Sequence, residues 1–187
     1  MTYYKKNFLY HLRNINGANK LFKENSQINP YDIKLFNGIN FIIHDYFFQN
    51  YKANIDFSER FYRLDFSYSS AITTLEEGNK KIFFEPNFLK ISRAYAESKE
   101  YFSESGSYQG VTIIIKPEKM DDEVYRLIGT NQLFNHLLTR LNHKGNFLII
   151  TSEFIEHFFD DLLNVKTLNN KQFLKLKVAE LFFIFEF

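Results

Sequence analysis

Five histidines, His11, His44, His136, His143 and His157, are the side chains of this sequence best suited to bind a metal or move a proton near neutral pH. Their spacing does not converge on a site. No His-Glu-x-x-His occurs, and no His-x-His pair with a following Glu. Glu153 and His157 stand one turn apart on an expected helix, where a solvated pair is commoner than a shared metal. Cys is absent, which removes thiol nucleophiles, thiolate metal sites and disulfides. No Gly-x-Ser-x-Gly elbow is present, and none of the seven glycines falls in a phosphate-binding pattern. The adjacent carboxylates Glu76-Glu77, Asp121-Asp122 and Asp160-Asp161 read as solvent-facing. The expectation is a protein that is not an enzyme, with no catalytic residue, metal or cofactor.

The stretch most able to form a ligand site is an alternation. Tyr62, Leu64, Phe66 and Tyr68 interleave with Arg63, Asp65 and Ser67 in the two-residue period of a strand with one wet face. Its aromatic face, with Phe84, would line the mouth of a small barrel, Tyr supplying apolar body and polar tip together. Arg63 would be the polar anchor if the register were reversed. Each residue taken singly is better explained by core packing, and the set as a whole is the best site the sequence offers.

Such a strand needs a scaffold, and the chain divides by texture. From about Gly38 to Lys116 come short β-type runs: Phe41–Ile43, Lys81–Phe84, Asn87–Ile91, Lys99–Ser103 and Tyr108–Lys116. Turn signals at Glu77-Gly78-Asn79, Glu85-Pro86-Asn87 and Ser105-Gly106-Ser107 punctuate them. After Pro117 the period becomes helical, over Glu118–Tyr125, Asn131–Leu141, a segment capped by Ser152 that carries Phe154 to Leu163, and a last one from Lys171. Strands followed by helices indicate an α+β fold with a barrel or sandwich. The expected organisation is an N-terminal segment of uncertain structure over 1–37, a barrel over 38–117 and helices over 118–187. Phe158, Leu162, Phe173, Leu176 and Leu181 are candidates for a dimer interface, since an exposed apolar face of that size marks one. The final helix grows more apolar toward Phe187 without a closing signal, so it either leads into a further domain or docks into its own core.

With 187 residues the chain can bury roughly 70% of its unfolded surface. Phe occurs 23 times and Tyr 12 times without any Trp, so the core is aromatic. Net charge is +1, from 23 basic and 22 acidic residues, which gives no broad field for nucleic acid. The N-terminus lacks the apolar core of a secretory signal, and the longest apolar run, Leu181–Phe185, is too short to span a bilayer. A cytoplasmic protein without membrane contact is expected.

Two segments carry a family resemblance. Tyr108-Gln109-Gly110-Val111-Thr112-Ile113-Ile114-Ile115 with Lys116-Pro117-Glu118, and Phe173-Leu174-Lys175-Leu176-Lys177-Val178-Ala179-Glu180-Leu181, resemble the regulatory half of AraC/XylS-type transcriptional regulators, most closely the siderophore-regulator branch. Gly38-Ile39-Asn40-Phe41 and Phe61–Tyr68 occupy the places of that branch's early barrel strands. The resemblance implies a cupin-like β-barrel that binds a small-molecule effector, C-terminal helices that form a homodimer, and DNA contacts made by a helix-turn-helix domain that is not in this chain. The chain departs from the branch where a strand should end in a Glu-Gly turn: it reads Phe66-Ser67-Tyr68-Ser69-Ser70-Ala71, with Glu77-Gly78 later. A stand-alone cupin-fold binding protein and a metal-dependent cupin enzyme are the alternatives.

Overall fold

The computed structural model describes residues 19–20, 31–47, 50–52, 61–75, 81–93, 100–127, 139, 146–150, 153–163 and 170–184. The expected turn at Glu77-Gly78-Asn79, the Ser152 cap and nearly all of the Asn131–Leu141 helix lie outside them. Among the described residues the strands are β1 (Asn19–Lys20), β2 (Tyr31–Phe36), β3 (Ile39–Phe47), β4 (Asn50–Lys52), β5 (Tyr62–Ser69), β6 (Ile72–Leu75), β7 (Lys81–Phe84), β8 (Phe88–Arg93), β9 (Glu100–Phe102), β10 (Ser107–Ile115) and β11 (Asn146–Ile150). The α-helices are α1 (Asp122–Leu127), α2 (Glu153–Leu163) and α3 (Lys171–Ile184).

Seven strands form one antiparallel sheet in the order β1-β2-β3-β10-β5-β8-β11, and four form a second in the order β4-β9-β6-β7. Period-two alternation gives the large sheet two distinct faces. Ile33, Leu35, Ile39, Phe41, Ile43, Leu64, Phe66, Leu89, Ile91, Val111, Ile113 and Ile115 stand on one of them and pack against the helices, with Phe158, Phe159 and Leu162 from α2 and Leu174, Val178, Leu181 and Phe182 from α3. Phe66 stacks on Phe159 with ring centroids 4.0 Å apart and planes 5° from parallel. The second sheet packs through Ile72, Phe84 and Tyr101 against Tyr108 and Phe88. Those two residues belong to the opposite face of the large sheet, because they alternate with core residues along β10 and β8. Helices therefore cover the outside, and the two sheets enclose an interior between them. The architecture is α+β and cupin-like, as expected.

Local chemistry sets the element ends. Asp121 caps α1, its Oδ1 accepting from Val124 N at 2.9 Å while its Oδ2 accepts from Asn37 Nδ2 at 2.8 Å. Asn170 caps α3 by accepting from Phe173 N at 3.1 Å. The expected short helix after Pro117 divides into a 3₁₀ turn, Pro117–Lys119, and α1. The terminal helix packs Leu174, Val178, Leu181 and Phe182 into the core. Five strands go beyond the sequence reading: β1 and β2 lie within the N-terminal segment of uncertain structure, β4 and β6 fall where no strand run was expected, and β11 extends the sheet edge along β8. Asn37-Gly38 turns β2 into β3 with Gly38 at φ +78°, and a Cβ there would sit 2.6 Å from the Lys116 carbonyl oxygen.

Gly38→Ala should lower the unfolding free energy by about 2–3 kcal/mol, because both backbone conformation and space oppose a side chain. Gly106→Ala, at φ +69° with open space around it, should cost only about 1–2 kcal/mol. Denaturant midpoints of the two variants measure the difference, and equal losses would contradict the fit assigned to the Gly38 turn.

Candidate functional site

Three cross-strand rows organise the interior face of the large sheet. Thr112 pairs with Asp65, and Asp65 with Lys90. On one side of this row Arg63 pairs with Ile114 and with Ser92; on the other, Gly110 pairs with His44 and with Ser67, beside a bulge that separates it from the Gln109–Ser69 pair. The register alone brings a carboxylate, two cations, three hydroxyls and an imidazole within a few residues of one another in the middle of the sheet. Most are shielded: Asp65 is 7% exposed, Lys90 4%, His44 8%, Thr112 1%, and Ser67 and Ser92 0%, while the Arg63 side chain is partly covered, at 14%. The strand read as having one wet face thus has none, because helices cover its apolar side and the barrel interior encloses its polar side.

The hydrogen bonds form a directed chain. Asp65 Oδ1 accepts from Arg63 Nη2 at 2.7 Å and Nε at 3.2 Å, and also from the Thr112 hydroxyl. A hydroxyl has one proton to give. Since that proton goes to Asp65, the 2.6 Å contact between Thr112 Oγ1 and His44 Nε2 requires the imidazole to donate. His44 is therefore a neutral ring protonated on Nε2. Burial, reinforced by the Arg63 charge and only partly offset by Asp65, pushes its pKa down to about 3. Burial alone would push the Asp65 carboxyl up, but the Arg63 and Lys90 charges and the hydrogen bonds from Thr112 and Arg63 outweigh it and hold the pKa below the ordinary carboxylate value. Tyr108 closes one end. Its ring lies 6.2 Å from that of His44, and its hydroxyl occupies the space a Cβ on Gly110 would need.

The arrangement differs from a nucleophile triad, in which the imidazole would stand between hydroxyl and carboxylate. Here the hydroxyl stands between them, and the neutral ring steadies it. Such a cluster can recognise polar groups by shape and charge. Among the described residues no group of three or more His, Asp or Glu side chains stands together as a metal site would need.

Of the residues expected to line a pocket, Leu64 and Phe66 are instead buried between sheet and helices, and Tyr62 packs at the edge of the same core. They are corrected to structural roles, since their side of β5 is the side covered by α2 and α3. Tyr68 sits at the β5 bulge and is 36% exposed. Phe84 reaches the interior beside Tyr108, and Arg63 reaches it as the reversed register required. Among the expected dimer residues, Phe158, Leu162 and Leu181 are buried in the chain's own core and are not available to a second subunit. Phe173 and Leu176 are 42% and 64% exposed. Asp65, Lys90, Ser92, Thr112 and His44 were not singled out as ligand-binding residues. Their signal was a lone polar residue inside an apolar run, as in Phe88-Leu89-Lys90-Ile91 and Val111-Thr112-Ile113.

No family model matches the chain, and no curated protein matches it. Solved structures do. The chain matches an apo variant of ToxT from Vibrio cholerae with TM-score 0.51 at 13% identity, over 79% of its own length and 56% of ToxT. ToxT from Vibrio cholerae with unsaturated fatty acid bound gives 0.48 at 12%, over 88% and 57%. HutD from Pseudomonas fluorescens gives 0.46 at 12%, over 54% and 57%. The chain spans a little over half the length of these proteins. At 13% identity the match to the apo ToxT variant shows a shared fold.

The buried neutral imidazole makes stability sensitive to acid. Because the folded state disfavours the His44 proton, its contribution is complete above the unfolded value of 6.5 and is lost as pH falls from there toward 3. Asp65, also depressed, adds a loss at lower pH by the same sign. Between about pH 7.5 and about pH 5 the wild type should lose about 2 kcal/mol more than His44→Gln in urea unfolding. Parallel pH profiles for the two proteins would contradict the assignment of His44 as a buried neutral ring.

Proposed function

We propose that this chain is the effector-sensing and dimerisation domain of an AraC-type transcriptional regulator, and that it is not an enzyme. The observation that carries the proposal is the buried charged cluster inside a cupin-like barrel. A fold that needed only stability would fill that space with apolar side chains, since buried ion pairs seldom repay their desolvation. The fold shared with ToxT, whose N-terminal domain is an AraC-family regulatory domain, is consistent with this reading. So are the two segments that resemble the family.

In this reading a small molecule enters between the two sheets and contacts the cluster on β5, β8 and β10. Strand β5 carries Asp65 toward the ligand and Phe66 toward α2, so a shift of the strand at the site is felt at the Phe66–Phe159 stack. The effector favours one arrangement of α2 and α3 in proportion to its difference in affinity for the two. Pairing of subunits falls to the exposed Phe173 and Leu176, and DNA contacts to a helix-turn-helix domain outside this chain. A stand-alone binding protein would use the same site without that partner domain.

Thermal unfolding against a panel of charged and neutral metabolites, with and without divalent metal, tests the assignment. A true effector at a hundred times its Kd adds about 2.7 kcal/mol, which should raise Tm by about 5–10 °C for a chain of this size. Stabilisation by metal alone, with turnover of an organic compound, would replace this reading with the metal-dependent enzyme.

A further inference from the structure

Ser92 stands apart from the rest of the cluster. Its side chain is fully buried on the interior face, yet its Oγ has no hydrogen-bond partner. Buried hydroxyls are nearly always paired, so an orphan in the middle of a sheet marks a place where a partner is missing. The neighbours define that partner. Arg63 stands directly across the strand pair from Ser92, and Lys90 precedes it by two residues on the same face. Both are cations, and both already act on Asp65. A hydroxyl can donate or accept, and beside two cations the group that best completes Ser92 is an acceptor, which suits an oxygen bearing negative charge.

We propose that Ser92, Arg63 and Lys90 form an oxyanion subsite inside the barrel that takes the carboxylate or phosphate group of the effector. The proposal rests on the effector-binding reading above and gives it a chemical class. The hydroxyl supplies a fixed donor, the guanidinium a planar fork and the ammonium a compact charge. Asp65 holds the two cations in place between occupancies and sets the depth to which the anion can enter, because a second carboxylate is repelled beyond that point. A single buried water is the competing occupant of the Ser92 position, and it would not discriminate charged from neutral ligands.

The test titrates the whole chain, wild type and Ser92→Ala, with butyrate, inorganic phosphate and neutral butyramide at matched ionic strength, following binding by calorimetry and backbone amide shifts. Butyrate or phosphate should bind saturably with shifts at residues 63–65 and 90–92, and butyramide at least about tenfold more weakly. Whichever anion binds more tightly identifies the effector's group. Ser92→Ala should weaken the anion about tenfold, the loss expected for one hydrogen bond to a charged group. It should leave the unfolding midpoint unchanged or raised, since the deleted hydroxyl has no partner to lose. Arg63→Lys, which keeps the charge and removes the fork, should weaken the anion without abolishing it. Equal binding of butyramide and butyrate, indifference of anion binding to Ser92→Ala, or stabilisation by neutral effectors only would overturn the subsite and leave effector sensing standing. Failure of all three probes, together with a flat thermal panel, would overturn both.

Discussion

A carboxylate on the central strand of a covered sheet has to be neutralised where it stands, and Asp65 sets this condition for the barrel. Left alone it would protonate or pull the sheet open. Arg63 on the same strand, Lys90 on one neighbour and Thr112 on the other meet the condition, and the strand register that places them is the register that aligns the core on the opposite face. A slip by one residue would turn Asp65 and Lys90 toward the helices and Leu64, Phe66 and Ile91 toward the interior. The polar cluster and the apolar core therefore enforce one another.

That coupling gives β5 its mechanical character. Consecutive residues face different compartments, Asp65 the interior and Phe66 the helices, with no soft loop between them. Close-packed interfaces respond to small displacements by switching between discrete packings. The stacked Phe66–Phe159 pair, backed by the edge contact of Phe159 with Phe158, is the packing that a displacement of β5 would reach first. From α2 the connection to α3 runs through Lys177, whose ammonium lies 3.1 Å from Asp161 and 5.8 Å from the centre of the Phe158 ring.

Much of this was legible in the sequence. The alternation of β5, the long strand β10, the turn at Asn87 and the apolar stripes of α2 and α3 are local patterns, and local patterns survive folding. What failed was the inference from polarity to solvent. Arg63, Asp65 and Ser67 look like a wet face because single-sequence periodicity sees that a side is polar but not that its carboxylate is met by Arg63 on the same strand and Lys90 on the next within a covered space. The helix stripes carried the converse ambiguity: Phe158 and Leu181 are as apolar as an interface, and only the sheet opposite shows where they go. Of the five strands overlooked, two had adequate signals. Asn37-Gly38 between apolar runs is a strong hairpin sequence, and Phe147 to Ile150 is a continuous apolar run of strand length beside a Gly-Asn turn.

The account stands on the claim that the charged cluster serves recognition at the expense of stability, and one substitution set addresses it directly. Arg63→Met, Asp65→Leu and Lys90→Met, made together, replace the cluster with apolar side chains of similar volume. The account predicts a folded protein whose unfolding free energy equals or exceeds that of the wild type by about 1–4 kcal/mol, and which no longer responds to the compound that stabilises the wild type. A triple variant that loses about 3 kcal/mol or more, or one that keeps its ligand response, would show that the cluster is there to hold the barrel together.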